Sequence, residues 1–307
     1  MKTDTFSILY QDHHLLIINK AAGVVIHPTY KHIGDTLWDA LLIYLAGQQG
    51  DGWQPPDLPD EPGWQFAPPS VRAMLRQMRI ERCWKEEGWL LRPALLHRLD
   101  KDTSGVVALA RTERARSHLA RQFQDRTIVK SYLAVVQKGA PAWAQPRTDF
   151  SVLRRQQDGS VVEAEVSRIF SVVGDDNFVL SGPLQRDPDD RRRCIVGPDG
   201  RTATTTVKVL AVENDFTLLA VRPITGRTHQ IRVHLAALGY AIVGDQTYGL
   251  AAEDSMPLTR QFLHAYSLAL RRYPDNVVCT FVAPLASDLV VWLGRAFRTG
   301  LEHVFQG

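Results

Sequence analysis

The chain has 307 residues, 45% hydrophobic and 22% charged, a balance that fits a globular protein with a real core. No membrane span of ~20 uninterrupted apolar residues is present, because Pro284 and Asp288 break the run from Val277 to Gly294; the scattered Cys83, Cys194 and Cys279 exclude a disulfide framework and a cysteine zinc site, and suit a reducing cytoplasm. The net charge of +3, from 36 basic and 33 acidic residues, does not by itself argue for a nucleic-acid partner.

The opening MKTDTFSILYQDHH lacks the apolar stretch of a secretion signal. Phe6–Tyr10 and Leu15–Asn19 read as a hairpin with Asp12-His13-His14 at its turn, and Val24–His27 as a third short strand. Asp35–Ala46 carries Leu37, Ala40, Leu41 and Tyr44 on one helical face. Gly47–Ser70 is an irregular segment rich in Gly, Pro and Asp, and Val71–Trp84 a basic helix. The nonapeptide HRLDKDTSG (97–105) lies between the apolar pair Leu95-Leu96 and the buried-strand pattern of Val106–Ala110. A polar loop held between two apolar elements is where chemistry tends to sit. Thr112 fits the N-cap of a helix reaching Gln124, with Ala115, Leu119 and Phe123 at near-helical spacing.

Ile128–Gln137, Val161–Phe170, Val172–Leu180, Thr204–Val212 and Phe216–Pro223 are strand candidates. Leu184–Gly200 reads as an Arg-rich loop excursion. Arg227–Leu238 reads as a helix stopped by Gly239, and Phe281–Leu285 as a last strand. No repeat or linker splits the chain. These elements predict an α+β fold: one catalytic-size domain over residues 1–300, built on a large mixed, mostly antiparallel sheet flanked by helices and loops.

The cations are unevenly spread. Arg111, Arg114, Arg116, Arg121, Arg126 and Lys130 form a run nearly free of acids, with further clusters at Arg154-Arg155 and Arg191-Arg192-Arg193. One such cluster reads equally as a solvated face. Several around one candidate site tilt the reading toward a phosphate-rich partner.

Asp100 lies between Arg98 and Lys101, and neighbouring cations favour its carboxylate form. A positioned carboxylate can act as nucleophile, general base or metal ligand, or simply cap a turn. Asp102-Thr103-Ser104-Gly105 fits the turn-bracing role better. The segment Thr225–His234 (TGRTHQIRVH) puts Thr228 and Arg232 on one helical face and Ile231 and Leu235 on another. His229 and His234 are five positions apart, a poor spacing for two metal ligands on one face, and both suit hydrogen bonding inside the fold. Tyr132 follows Lys130-Ser131 on a strand and points away from the core if Leu133 and Val135 point into it. DTSG superficially resembles an aspartic-protease turn, but its Gly falls one place late and no second such turn exists.

These three elements, in this order, resemble the RluA-like family of RNA pseudouridine synthases. HRLDKDTSG resembles the family's catalytic-loop motif, KSYLAVV its tyrosine-bearing strand and GRTHQIRVHLAALGYAIVGDQTYG its C-terminal signature, and the opening ILYQDHHLLIINKAAGVVIHP is also similar. The resemblance implies isomerisation of uridine in structured RNA, ribosomal or transfer, by a monomeric cytoplasmic enzyme with no metal, cofactor or membrane partner. It implies Asp100 as the essential carboxylate, Arg232 as its paired cation and Tyr132 as the ring stacked on the flipped uracil. It implies Arg98 in the gap left by the base, with Thr103, Arg227 and His229 as further RNA contacts. Ala21-Ala22 follow Lys20 where the family commonly has proline. No separate N-terminal RNA-binding domain is expected, and the stretches at about 47–89 and 184–200, with Arg191, Arg192 and Arg193, read as RNA-contacting insertions. The alternative is a non-catalytic RNA-binding or RNA-remodelling protein on the same fold, against which intact Asp100, Tyr132 and Arg232 argue.

Overall fold

The computed structural model describes residues 5–27, 32, 34–46, 89–164, 169–170, 173–174, 176–249 and 258–298. The basic helix expected at Val71–Trp84 and the segment 47–88 lie outside the described residues. In chain order the elements are β1 (Phe6–Gln11), β2 (Leu15–Lys20), α1 (Leu37–Ala46), β3 (Trp89–Leu95), β4 (Ser104–Thr112), α2 (Glu113–Gln124), β5 (Val129–Lys138), β6 (Ser151–Arg155), β7 (Val161–Glu163), β8 (Asn177–Arg186), β9 (Cys194–Val196), β10 (Arg201–Glu213), β11 (Phe216–Pro223), α3 (Gln230–Ala237), β12 (Tyr240–Ile242), β13 (Leu263–Arg271), β14 (Val278–Val282) and α4 (Ser287–Ala296). Among the described residues sheet dominates and helices are few, the expected α+β class. The strand pairings described below are antiparallel, and an isolated bridge between Gly139 and Tyr240 is parallel. The chain divides into two compact units, Met1–Ile128 with Ser267–Pro284, and Val129–Tyr266 with Leu285–Gly307.

In the first unit, β1 and β2 form the expected hairpin. Asp12 closes its turn, its carboxylate accepting from the amides of His14 and Leu15 at 2.7 Å each. β2 pairs with β4 from Leu15 opposite Ala110 to Lys20 opposite Gly105. Every residue of β4 is buried, which explains its continuous apolar run. Arg111 follows from that burial. At 1% exposure its guanidinium donates to the Asp12 carbonyl at 2.6 Å, so it does not belong to the exposed basic run. Val24–His27 is not a strand. The carbonyls of Val25 and Ile26 instead accept from the first amides of α1, on Leu37 and Trp38, at 2.8 and 3.1 Å. Thr36 and Asp39 complete that end as a capping pair, each side chain accepting from the other's amide. Thr112 caps α2 as expected, accepting from the Ala115 amide at 3.3 Å. Ala115 and Leu119 then bury against Ile128, Leu268 and Phe281.

The second unit orders its strands β5-β11-β10-β8-β6-β7, with β12 on β5 and β9 on β8. Two expected boundaries shift. The strand from Val161 ends at Glu163, and the one expected at Val172–Leu180 begins at Asn177 and runs to Arg186. Leu184–Gly200 is therefore a hairpin rather than a loop: Leu184, Gln185 and Arg186 pair with Val196, Ile195 and Cys194. The buried triplet Cys194-Ile195-Val196 supplies the driving force. At Gly200 a Cβ would stand 2.6 Å from the backbone of Pro183 and Leu184, so only glycine lets the chain pass from β9 into β10. The expected last strand lies a few residues earlier, at β14, and β13 and α4 complete the fold beyond what the pattern predicted. α4 seats Trp292 against Phe216 and Phe262, with ring centroids 5.1 and 5.4 Å away.

Candidate active site

The Asp100 loop belongs to the first unit and is fixed through its main chain. His97 at its start accepts the Ala108 amide on Nε2 at 3.1 Å and packs its ring 5.4 Å from Phe123. The Thr103 amide donates to the Asp100 carbonyl at 3.2 Å and closes the turn. Gly105 takes φ +118°, a conformation that lets the chain re-enter β4. Under the loop lies Lys20, fully buried, whose ammonium donates to the carbonyls of Ala21, Lys101 and Val24 at 2.7, 2.9 and 3.0 Å. Three carbonyls match its three N–H donors. One of them belongs to the residue after Asp100, so Lys20 holds the loop at its centre. A lysine at the end of a strand pattern carries no sign of this.

On this frame Arg98 is exposed and Asp100 half-buried. Thr103 is 2% exposed, which suits the bracing role better than a direct RNA contact.

The remaining candidates stand in the second unit. α3 begins at Gln230, not Arg227, because His229 sits in the left-handed region at φ +54°. Thr228 thus lies outside the helix and does not share a helical face with Arg232. Gln230, buried, replaces the missing first turn. Its side-chain Oε1 accepts from the Arg227 amide at 3.0 Å and from the Thr225 hydroxyl at 2.7 Å. Its amide group donates to the Thr204 carbonyl and the Thr205 hydroxyl at 2.9 and 3.0 Å. All eight residues of α3 are buried, so it is not the half-polar helix the pattern predicted.

Arg232 is enclosed with Asp245. Its Nε donates to Oδ2 at 2.6 Å and its Nη2 to Oδ1 at 2.8 Å, a bidentate pair. The guanidinium also lies 4.9 Å from the centre of the Tyr248 ring. The Tyr248 hydroxyl accepts from the Cys194 amide at 2.8 Å and is 3.0 Å from His229 Nδ1. Burial pushes that phenol's pKa above its usual range. His234 bonds Thr205 Oγ1 through Nδ1 at 2.9 Å, and burial pushes its pKa down to about 4, against a weaker upward pull from the Gly182 backbone. Both histidines are thus engaged inside the fold, while Arg227 reaches the Thr202 carbonyl at 3.3 Å.

Tyr132, on β5 opposite Val221, is 9% exposed, and the next four residues are buried as well. The expected alternation is absent because β5 is covered on both faces. Lys130, half-buried beside Gly226, has its pKa lowered by desolvation.

The three arginines of the β8–β9 hairpin differ. Arg193 donates to Asp187 at 2.5 Å and lies 3.8 Å over the Trp143 ring. Asp187 is held below its usual range: burial pushes it up, but the Arg193 bond, the Asp189 amide and the charges of Arg193 and Arg147 outweigh that. Arg192 pairs with Asp190 while remaining exposed. Arg191 is exposed and has no carboxylate partner among the described residues.

A family model described as RNA pseudouridylate synthase matches residues 14–237, a span that contains Asp100, Tyr132 and Arg232. The chain belongs to this family, in its RluA-like branch. It is 35% identical over 275 residues to an uncharacterized RNA pseudouridine synthase of Chloroflexus aurantiacus, covering 90% of this chain and 64% of that protein. It is 31% identical over 302 residues to the ribosomal large subunit pseudouridine synthase D of Nitrosomonas europaea, covering 96% and 66%. The chain thus spans about two thirds of the length of these relatives. The solved structure of human RNA pseudouridylate synthase domain containing 4 matches with a TM-score of 0.55 at 22% identity, over 94% of this chain and 92% of that one, and shares the fold.

Proposed function

We propose that this chain isomerises uridine to pseudouridine in structured RNA. The observation that carries the reading is the Asp100 turn: a half-buried carboxylate presented inside the family-matched segment, on a loop whose main chain is fixed by buried Lys20. In the reaction the bond from uracil N1 to ribose carbon 1 breaks and a bond from uracil carbon 5 to the same ribose carbon forms. The carbon 5 proton leaves and N1 regains one, so no electrons are exchanged. Asp100 acts at the ribose, on carbon 1 or on the proton of carbon 2. By the family resemblance Arg232 takes the role of the cation paired with Asp100, and Tyr132 that of the ring stacked on the uracil. Flipping the base from its stack costs a few kcal/mol, and the exposed, planar Arg98 fills the vacated space. The name of the Nitrosomonas relative favours ribosomal RNA, with transfer RNA as the second class. The protein acts as a cytoplasmic monomer.

The test uses ribosomal and transfer RNA transcripts carrying uridine tritiated at carbon 5, since the reaction releases that hydrogen. Wild-type protein should release tritium and Asp100→Asn should not, while still binding the RNA. Full release by Asp100→Asn would remove the mechanism, and binding without release by wild type would favour the non-catalytic alternative.

A further inference from the structure

Resting on that reading, we propose that Asp245 and Tyr248 are positioning residues that act on the reaction through Arg232. The two parallel bonds from Arg232 to Asp245 fix the plane of the guanidinium, and the Tyr248 ring covers one of its faces. Asp245 takes up only two of the five N–H donors of the group. The other donors are directed away from Asp245 in an orientation it sets.

Asp245 is itself pinned. Its Oδ1 also accepts from the amides of Thr247 and Tyr248 at 2.9 and 3.0 Å. Gly244 before it has φ +73°, and a Cβ there would meet the Arg260 carbonyl at 2.2 Å, so the approach to Asp245 admits only glycine. Tyr248, 1% exposed, joins three pieces of the unit. Its hydroxyl bonds the first residue of β9 and the left-handed His229 before α3, and its ring packs 5.5 Å from Trp143.

Stability alone is a weak reason for this arrangement. The side chains of Arg232 and Asp245 are 7% and 0% exposed. An ion pair taken so far out of water usually stabilises no better than apolar residues of similar volume. A fixed guanidinium plane is what the pair supplies and an apolar pair could not.

The experiment is a double-mutant cycle read by single-turnover tritium release from the same transcripts, with RNA affinity measured alongside. Lysine at position 232 keeps a charge but has no plane to orient. Asp245→Asn is expected to slow release about tenfold, with RNA affinity changed less than about twofold; in an Arg232→Lys background the same change should cost less than about twofold. Losses that multiply in the double variant would overturn the proposal, as would an unchanged rate in Asp245→Asn. Tyr248→Phe keeps the ring and its volume and covers the case in which Asp245→Asn does not fold. It should lose about threefold, and that loss should vanish in the Arg232→Lys background. If wild type releases no tritium from either transcript class, the isomerase reading fails and the proposal falls with it. Wild-type release with no effect of either substitution removes the proposal alone.

Discussion

Asp100 and Arg232 stand in surroundings of different build. The Asp100 loop is held by main-chain bonds, by glycine at a left-handed position and by one buried lysine on three carbonyls, and the Asp100 side chain is half-exposed. Arg232 is held by side chains throughout, in a bidentate buried pair beneath an aromatic ring. A functional group carried on a fixed main chain can be altered without loosening its support. A functional group that is itself part of the support cannot. Substitutions therefore report more directly on chemistry at Asp100 than at Arg232, where folding responds as well.

The largest expected effect tests this directly. Asp100→Asn should lower tritium release by about 10²–10⁴-fold while costing less unfolding free energy than substitution of Arg232. Arg232→Ala should lower release as well, and also cost about 3–5 kcal/mol, because Asp245 is left charged and buried. Urea unfolding of both variants checks the pair. Equal stability losses would erase the difference between the two regions.

Lys20→Met is expected to act next most strongly. It leaves three carbonyls without their donor at a fully buried site. Each unsatisfied group costs about 1–3 kcal/mol, so a stability loss of about 3 kcal/mol or more is expected in urea unfolding. A loss of only a few tenths would mean that the loop is held by its turn alone.

The same contrast governs what could be read from the sequence. The Asp100 loop was legible because turn residues stand between two apolar runs, and the start of α2 because Thr112 precedes an amphipathic period. The support of Arg232 was not. Asp245 lies 13 residues downstream, inside the stretch that resembles the family's C-terminal signature, but no spacing rule links its carboxylate to Arg232. Lys20 ends an apolar run, where lysine usually faces solvent. The start of α3 is set by a left-handed histidine, which periodicity does not encode. β9 is three residues long inside a polar stretch, below the length at which alternation can be recognised. Arg191 and Arg193 look alike in sequence and differ only because Asp187 and Trp143 fold back onto one of them.

His234 offers a pH test of the second region. Its pKa falls from 6.5 to about 4 on folding. The buried ring stays neutral where the unfolded chain takes up a proton. Its contribution is therefore fully present above about pH 6.5 and is lost as pH falls toward 4, by about 3 kcal/mol in all. In His234→Gln the unfolding free energy should lose that part of its pH dependence. An unchanged acid limb would mean that other groups carry the destabilisation.

The smallest expected effect separates two arginines of one hairpin. Arg191 is exposed without a carboxylate partner among the described residues, whereas Arg193 is joined to Asp187 and stacked on Trp143. If the hairpin meets RNA phosphates, Arg191 is free to displace counterions and Arg193 is already neutralised. Arg191→Ala should then reduce the slope of log affinity against log salt by about 0.7–0.9, the release of one counterion, with stability unchanged. Arg193→Ala should leave that slope alone and cost about 1–3 kcal/mol, because the buried Asp187 carboxylate then keeps only the Asp189 amide at 3.1 Å and the longer ion pair to Arg147 at 3.4 Å. Equal slopes for the two variants would mean that position in the sequence, and not engagement in the fold, decides which cations reach the RNA.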